Sequence, residues 1–592
     1  MDRQSISNKY KWKLEDMYSN NELWEKDLEL VKNKYVVIEK FRGKLAESAS
    51  NIYECLEFED NLSVIIARVF VYARMRRDED NSNPQYQAFV EKATSLMNEV
   101  HSKFSFITPE LVNIDRETIN KYMEEFPKLK LYDRFFQELY RQREYVLSER
   151  EEEILAMSAE ALEGADNIFM MLNNADMTYG SIVDENGDTV EVTKGNYSVF
   201  MESKDRRVRK DAFDTLYQTY IDHKNTLATT LVTNVKTNEF YSKVRGYDSP
   251  LHSSLDSDNI KVELYDNLID AVSDNLGLLH RYVALRKKIL GLDEIHMYDL
   301  YVPIVDQFEK EIEYEEATEI VKEAVKPLGE KYVDDLTNAF DSGWIDVYEN
   351  TGKTSGAYSW GCYLSHPYVL LNYQGKLGDV FTLAHEMGHA LHSFYTNKAQ
   401  PHIYSNYKIF VAEVASTVNE NLLVHHLKEQ SADKTERAYL LNKFLEEFRG
   451  TIFRQVMFAE FEKIIHNLNS AGEPLTCERL CEIYRELNIK YYGNDIVVDE
   501  NIDYEWSRIP HFYSSFYVYK YATGFASAIA FADKIQKGEG VEEYLNFLSS
   551  GSSDYPLELL KKAGVDLCSP KPVEDAMKAF ENALDEFEKI ME

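Results

Sequence analysis

His385 and His389, four residues apart with Glu386 between them, are the residues of this 592-residue chain whose types and spacing point most directly to chemistry. On an α-helix, positions i and i+4 share a face about 6 Å apart along the axis, so two imidazoles can converge on one metal ion. Glu386 then sits beside the ion and not on it. A carboxylate there can take a proton from a metal-activated water, whose pKa falls from about 15.7 to about 7. The pattern is that of a zinc site in a hydrolase. With 14 His and 102 acidic residues in the chain, chance supplies about 0.06 such matches. The motif therefore needs a helical context and a third ligand to carry weight.

His392 lies on the same helical face, but it is seven residues from His385. That is about 10.5 Å along the axis, against zinc–nitrogen bonds of about 2.0–2.1 Å, so one ion cannot bridge the two. A longer zincin pattern with a helix-breaking Gly and a third His does not fit either, because Gly388 lies inside the motif and position 395 is Tyr395. The remaining solution is a carboxylate from a later helix. Residues 410–420 offer one acid in an apolar stretch, Glu413, flanked by Val411, Ala412, Val414 and Ala415. Burying it there is costly unless it is paired or on a metal. Glu420, seven residues on, cannot share that ion. It either accepts a hydrogen bond from a ligand imidazole or is an ordinary exposed acid.

The motif must be carried by a helix, for which Asp379 is the expected N-cap. Before it, residues 356–363 and 367–373 read as paired strands. They form either a small structural sheet beside the zinc helix or an edge to which an extended peptide could add. Further back, residues 179–183 and 189–193 flank Asn186-Gly187 and read as a hairpin. A domain boundary is expected just after it, dividing the chain into a helical region, 1–195, and a second region, 196–592. From Trp12 to about Met171 amphipathic helices follow one another, with starts expected at Thr108 and Ser148. Only 24 Gly and 13 Pro, with Leu, Ala, Glu and Lys at three- and four-residue spacings, make the fold class mostly α.

The balance of 66 basic against 102 acidic residues, a formal charge of -36, argues against nucleic acid or anionic lipid as a partner. Cys55, Cys362, Cys477, Cys481 and Cys568 are scattered and odd in number, which is no disulfide framework. Residues 1–5 hold no apolar signal core, and no uncharged run approaches the ~20 residues of a membrane span. A cytoplasmic protein is expected.

The run His385-Glu386-Met387-Gly388-His389, followed by Glu413 in Phe410-Val411-Ala412-Glu413-Val414-Ala415-Ser416, resembles the thimet-oligopeptidase-like zinc metallopeptidases. The resemblance extends over nearly the whole chain, through residues 10–16, 298–303 and 564–566. It also takes in residues 508–524, which composition alone would assign to aromatic packing. In that family a His and a Tyr of this segment face the zinc and stabilise the oxyanion as water attacks the peptide carbonyl, a contribution of about 3–4 kcal/mol. The resemblance assigns those roles to His511 and Tyr519, with Tyr513 and Tyr517 as neighbours whose direction the spacing leaves open. It further implies one zinc per chain held by His385, His389 and Glu413, with Glu386 as general base. The implied fold is a two-lobed helical shell around a deep channel that admits oligopeptides and excludes folded proteins. A peptide-binding protein with an inactive or structural zinc site is the alternative from another class, and an intact Glu386 argues against it. A zinc carboxypeptidase would need a dedicated positive group for the free C-terminus, and the sequence identifies none.

Overall fold

Helices occupy most of the computed structural model, which describes residues 2–305 and 310–592. Their starts follow side-chain chemistry. Ser48 accepts the N–H of Asn51 and opens the helix Ala49–Glu79, and Asn83 with Pro84 opens Pro84–Phe104, which packs against it. Between them Trp24 stacks on Phe89 at 4.2 Å and donates its indole N–H to the Val69 carbonyl at 2.8 Å. The helix expected to start at Thr108 begins earlier, as Ile107–Val112, without a side-chain cap. The one expected at Ser148 is Glu149–Leu162.

The motif lies on the helix Leu377–Ala399, and Glu413 lies on Ile409–Gln430. Asp379 is not the N-cap of the motif helix. It stands inside the first turn, and its carboxylate reaches back to accept the N–H groups of Gln374 (3.0 Å) and Lys376 (2.9 Å). The effect is the one a cap would have, since otherwise unpaired N–H groups gain a partner.

Seven short strands occur among the described residues: β1 Ser181–Val183, β2 Thr189–Glu191, β3 Ile295–His296, β4 Ile345–Asp346, β5 Tyr358–Trp360, β6 Tyr368–Leu370 and β7 Ile496–Val497. β1 and β2 form the expected antiparallel hairpin, with Ser181 opposite Glu191 and Gly187 at φ +89° in the turn. The expected strands before the motif helix are β5 and β6, antiparallel, and β4 joins them in the order β4-β6-β5. β6 is wholly buried and β5 is an edge. β3 and β7 pair in parallel, which a run of two residues could not announce.

The chain forms two compact units, each built from three separated segments. The first is Met1–Glu149, Lys310–Leu423 and Phe531–Gly564, and it holds β4, β5, β6, the motif helix and Glu413. The second is Arg150–Glu309, Val424–Ala530 and Val565–Glu592, and it holds the hairpin and the aromatic segment around His511. In the first unit Arg3 donates to Asp346 of β4 (3.0 Å) and to Glu79 (3.0 Å), fastening the start of the chain to the sheet beside the motif helix. Among the described residues no helix is long and apolar enough to cross a membrane.

Candidate active site

The rings of His385 and His389 stand one turn apart on the motif helix, 4.8 Å between centroids. Glu413 meets both from the neighbouring helix, its Oε2 lying 3.4 Å from His385 Nε2 and 3.3 Å from His389 Nε2. Among the described residues these three form the one group whose ligand atoms all lie within 4.8 Å of each other. Two imidazole nitrogens and a carboxylate oxygen are the protein donor set of a catalytic zinc ion, whose fourth position is kept for water or substrate. The residues present fit that ion. The Glu413 side chain is 46% exposed, so the buried acid suggested by its apolar flanks is in fact open to solvent on one side.

The close approach of the two helices has a cause in sequence. A Cβ on Gly388 would fall 2.6 Å from the Ala415 carbonyl oxygen and 2.6 Å from the Ser416 Cα, so only glycine lets the backbones touch there. One turn away the buried Asn419 side chain donates to the Ala384 carbonyl at 3.1 Å and accepts from the Tyr332 hydroxyl at 3.0 Å, which fixes the register. That register puts Glu413 across from the two histidines. It also puts Glu420 Oε1 3.3 Å from His385 Nδ1, on the side of the ring away from Glu413. His392 is elsewhere, buried and stacked on Tyr407 at 3.7 Å, and burial drops its imidazolium to about 3.

Electrostatics in the metal-free site follow this geometry. Burial works against a charge on His385, but Glu420, Glu386 and Glu413 outweigh it and raise its imidazolium to about 9. Burial likewise pushes Glu413 up, and it is overcome by His389, His385 and the Ser416 hydroxyl, which donates to Oε2 at 2.9 Å. The result is about 2. Glu386, 7% exposed, is raised, chiefly by burial. A raised proton affinity is what a proton-accepting group requires.

In the second unit the aromatic segment turns sharply. Phe516 sits at φ +60°, unusual for a residue with a Cβ, and its N–H is held by the buried Glu462 carboxyl at 2.8 Å. After that turn the rings separate. Tyr519 is fully buried, packed 5.2 Å from Tyr265. Tyr513 stacks on Phe169 at 4.2 Å and bonds Thr230 at 2.7 Å. Tyr517 lies parallel to His511 at 6.2 Å, and the Tyr521 hydroxyl is 3.4 Å from His511 Nε2. The structure therefore brings Tyr521 to His511 and takes Tyr519 away into the core. The sequence reading did not single out Tyr521. The available signal was that residues two apart on a helix point to opposite sides, so Tyr519 and Tyr521 cannot both accompany His511. Burial, with some help from Arg454, lowers the His511 imidazolium.

The profile of Peptidase family M3 matches residues 199–579, and that of Oligopeptidase F matches residues 110–179. The chain is 46% identical to oligopeptidase PepF of Bacillus subtilis over 593 aligned positions, covering 100% of this chain and 88% of that protein. It is 42% identical to an oligoendopeptidase F homolog of Lactococcus lactis, covering 100% and 98%. The crystal structure of oligoendopeptidase-F from Enterococcus faecium superposes with a TM-score of 0.76 at 39% identity, covering 96% of this chain and 99% of that one.

Proposed function

The chain belongs to peptidase family M3, and from that premise we propose that it hydrolyses internal bonds of short, unstructured oligopeptides with one zinc ion per chain, held by His385, His389 and Glu413. It is a metalloendopeptidase of the oligoendopeptidase F kind. The observation that carries the reading is the convergence of two imidazoles and a carboxylate beside a buried, proton-seeking Glu386.

When bound, the ion would supply Lewis acidity to the scissile carbonyl and lower the pKa of water. Glu386 accepts the proton of the attacking water and hands it to the departing amine. Glu420 keeps His385 oriented by taking its Nδ1 proton in a hydrogen bond, which fixes Nε2 as the donor toward the ion. His511 remains assigned to the oxyanion, on the strength of the resemblance, and the 3.4 Å contact favours Tyr521 over Tyr519 as the phenol acting with it. Tyr517 is a neighbour of that pair, and Tyr513 is a packing residue. β5 stands at the edge of its sheet, where the backbone of an extended peptide would bond whatever its side chains.

The proposal also keeps a division of the chain at 195/196 into an N-terminal helical region and a catalytic domain, which the spans of the two family profiles support. The enclosed channel that limits substrates to short peptides, and a cytoplasmic location, belong to the proposal as well. A peptide-binding protein with an idle zinc site and a carboxypeptidase are both less favoured by the family.

The test uses internally quenched peptides of several lengths and a folded protein, with and without chelator. Short peptides are expected to be cut, chelator to stop the cutting and zinc to restore it. Glu386→Gln is expected to lose at least about 1000-fold in kcat with metal content kept, and Glu413→Ala to lose the metal. Full activity in Glu386→Gln would sink the mechanism.

A further inference from the structure

Two arginines of the second unit share one carboxylate. Arg454, at the start of the helix Arg454–Ser470, donates to Glu505 Oε1 at 2.6 Å, and Arg508 Nη1 lies 3.7 Å from that same oxygen. The other oxygen, Oε2, is occupied by the Tyr484 hydroxyl at 2.6 Å. Among the described residues no other carboxylate comes within ion-pair distance of either guanidinium. Arg508 is otherwise held by neutral partners, bonding the Tyr217 hydroxyl at 3.3 Å and lying over the rings of Tyr197 and Tyr217. Neighbouring Arg449 and Arg286 share Glu446 in the same two-to-one ratio, Arg286 Nη1 lying 2.8 Å from Oε1 and Arg449 Nη2 2.6 Å from Oε2, but both of those arginines are buried.

Two cations against one anion leave a positive charge that the fold does not neutralise. In a buried network such an imbalance is costly, and a chain with 102 acidic residues has no shortage of acids with which to cancel it. Nor is the pair sealed in: the Arg454 and Arg508 side chains keep 23% and 25% of their surface exposed, a gap through which a ligand can reach them. The excess charge is felt nearby. After burial, Arg508 is the cause that lowers the Lys194 ammonium to about 8, and Arg454 acts in the same way on His511. Planar guanidinium groups held in place by aromatic rings are preorganised to bind a carboxylate through paired N–H bonds.

We infer that Arg454 and Arg508 form a subsite for a carboxylate of the peptide substrate, either its free C-terminus or an acidic side chain. The inference rests on the peptidase reading above and adds to it a group that anchors one end or one residue of the peptide. No covalent step is involved.

The experiment compares KM for matched quenched peptides that differ only in a free against an amidated C-terminus, and for a second set that differs only in Asp against Asn at one position. The carboxylate form is expected to show a KM about tenfold lower in at least one set, and the set that responds identifies the carboxylate. In Arg508→Gln that ratio is expected to fall toward one, and in Arg508→Lys, which keeps the charge but not the fork, to fall part of the way. Melting temperature and zinc content are measured alongside. If Arg508→Gln does not fold, the Arg508→Lys ratio decides. Equal KM within both pairs in the unmodified enzyme, or a ratio unchanged in the variants, overturns the subsite. Should no peptide be cut at all, it is the peptidase reading that has failed. The same pairs are then compared by calorimetric binding, where equal affinities overturn the subsite on its own.

Discussion

At the residue scale, the metal site is a competition between protons and an ion. In the zinc-free protein His385 has its pKa raised from about 6.5 to about 9 by its carboxylate neighbours, with burial opposing. A group raised in the folded state adds stability that is fully present below about pH 6.5 and disappears as pH climbs through about 9. Glu413 does the reverse: depressed to about 2, it contributes above about pH 4.5 and loses that contribution as pH falls through about 2. Zinc can bind only after His385 gives up its proton. Apparent zinc affinity, measured by competition with a chelator, is therefore expected to rise up to about tenfold per pH unit between pH 6 and 8. A flat profile would show that His385 is not the proton held in the metal-free site. Glu420→Gln is expected to flatten part of that slope and to weaken zinc binding about 10- to 100-fold.

At the element scale, the donor set comes from one helix crossing. The helices Leu377–Ala399 and Ile409–Gln430 touch backbone to backbone at Gly388, and Asn419 locks their register. Gly388→Ala is expected to force the crossing apart, costing about 1–3 kcal/mol of stability and most of the metal affinity, as read by melting temperature and bound zinc. Asn419→Leu is expected to keep the helices but weaken zinc binding, since a buried carbonyl and a buried hydroxyl lose their partner. If Gly388→Ala binds zinc as the parent does, the crossing does not set the geometry. His385, Glu386 and His389 were legible because a helix makes i and i+4 neighbours by necessity. Glu413 was legible as an acid among apolar residues. The crossing that brings it within 3.4 Å of the histidines was not, because Gly388 reads as a weak helix former until the second backbone is beside it. The direction of the tyrosines in the aromatic segment was not legible, because the turn at Phe516 resets the helical phase and only tertiary contacts fix where it restarts.

At the scale of the whole molecule, charge and chain path matter most. A net charge of -36 draws cationic peptides toward the protein and repels anionic ones until salt screens it, with a Debye length of about 10 Å at 0.1 M. The kcat/KM for a lysine-rich peptide is expected to fall several-fold between about 20 and 300 mM salt, while that of a neutral peptide changes little. Identical salt profiles would exclude steering by the acidic surface. The mostly α class, the β1–β2 hairpin and the β5–β6 pair were legible from composition and spacing. The interleaving was not, because contacts between residues hundreds of positions apart leave no periodic trace: each compact unit draws on three segments of chain. The contact at Gly388 also bears on protein engineering. Copying the five residues from His385 to His389 onto a helix of another scaffold would transfer two imidazoles and a base, but not a position at which a second backbone can come close enough to deliver the carboxylate. A transplanted motif without its glycine contact should hold zinc weakly and catalyse little, however faithfully its sequence is reproduced.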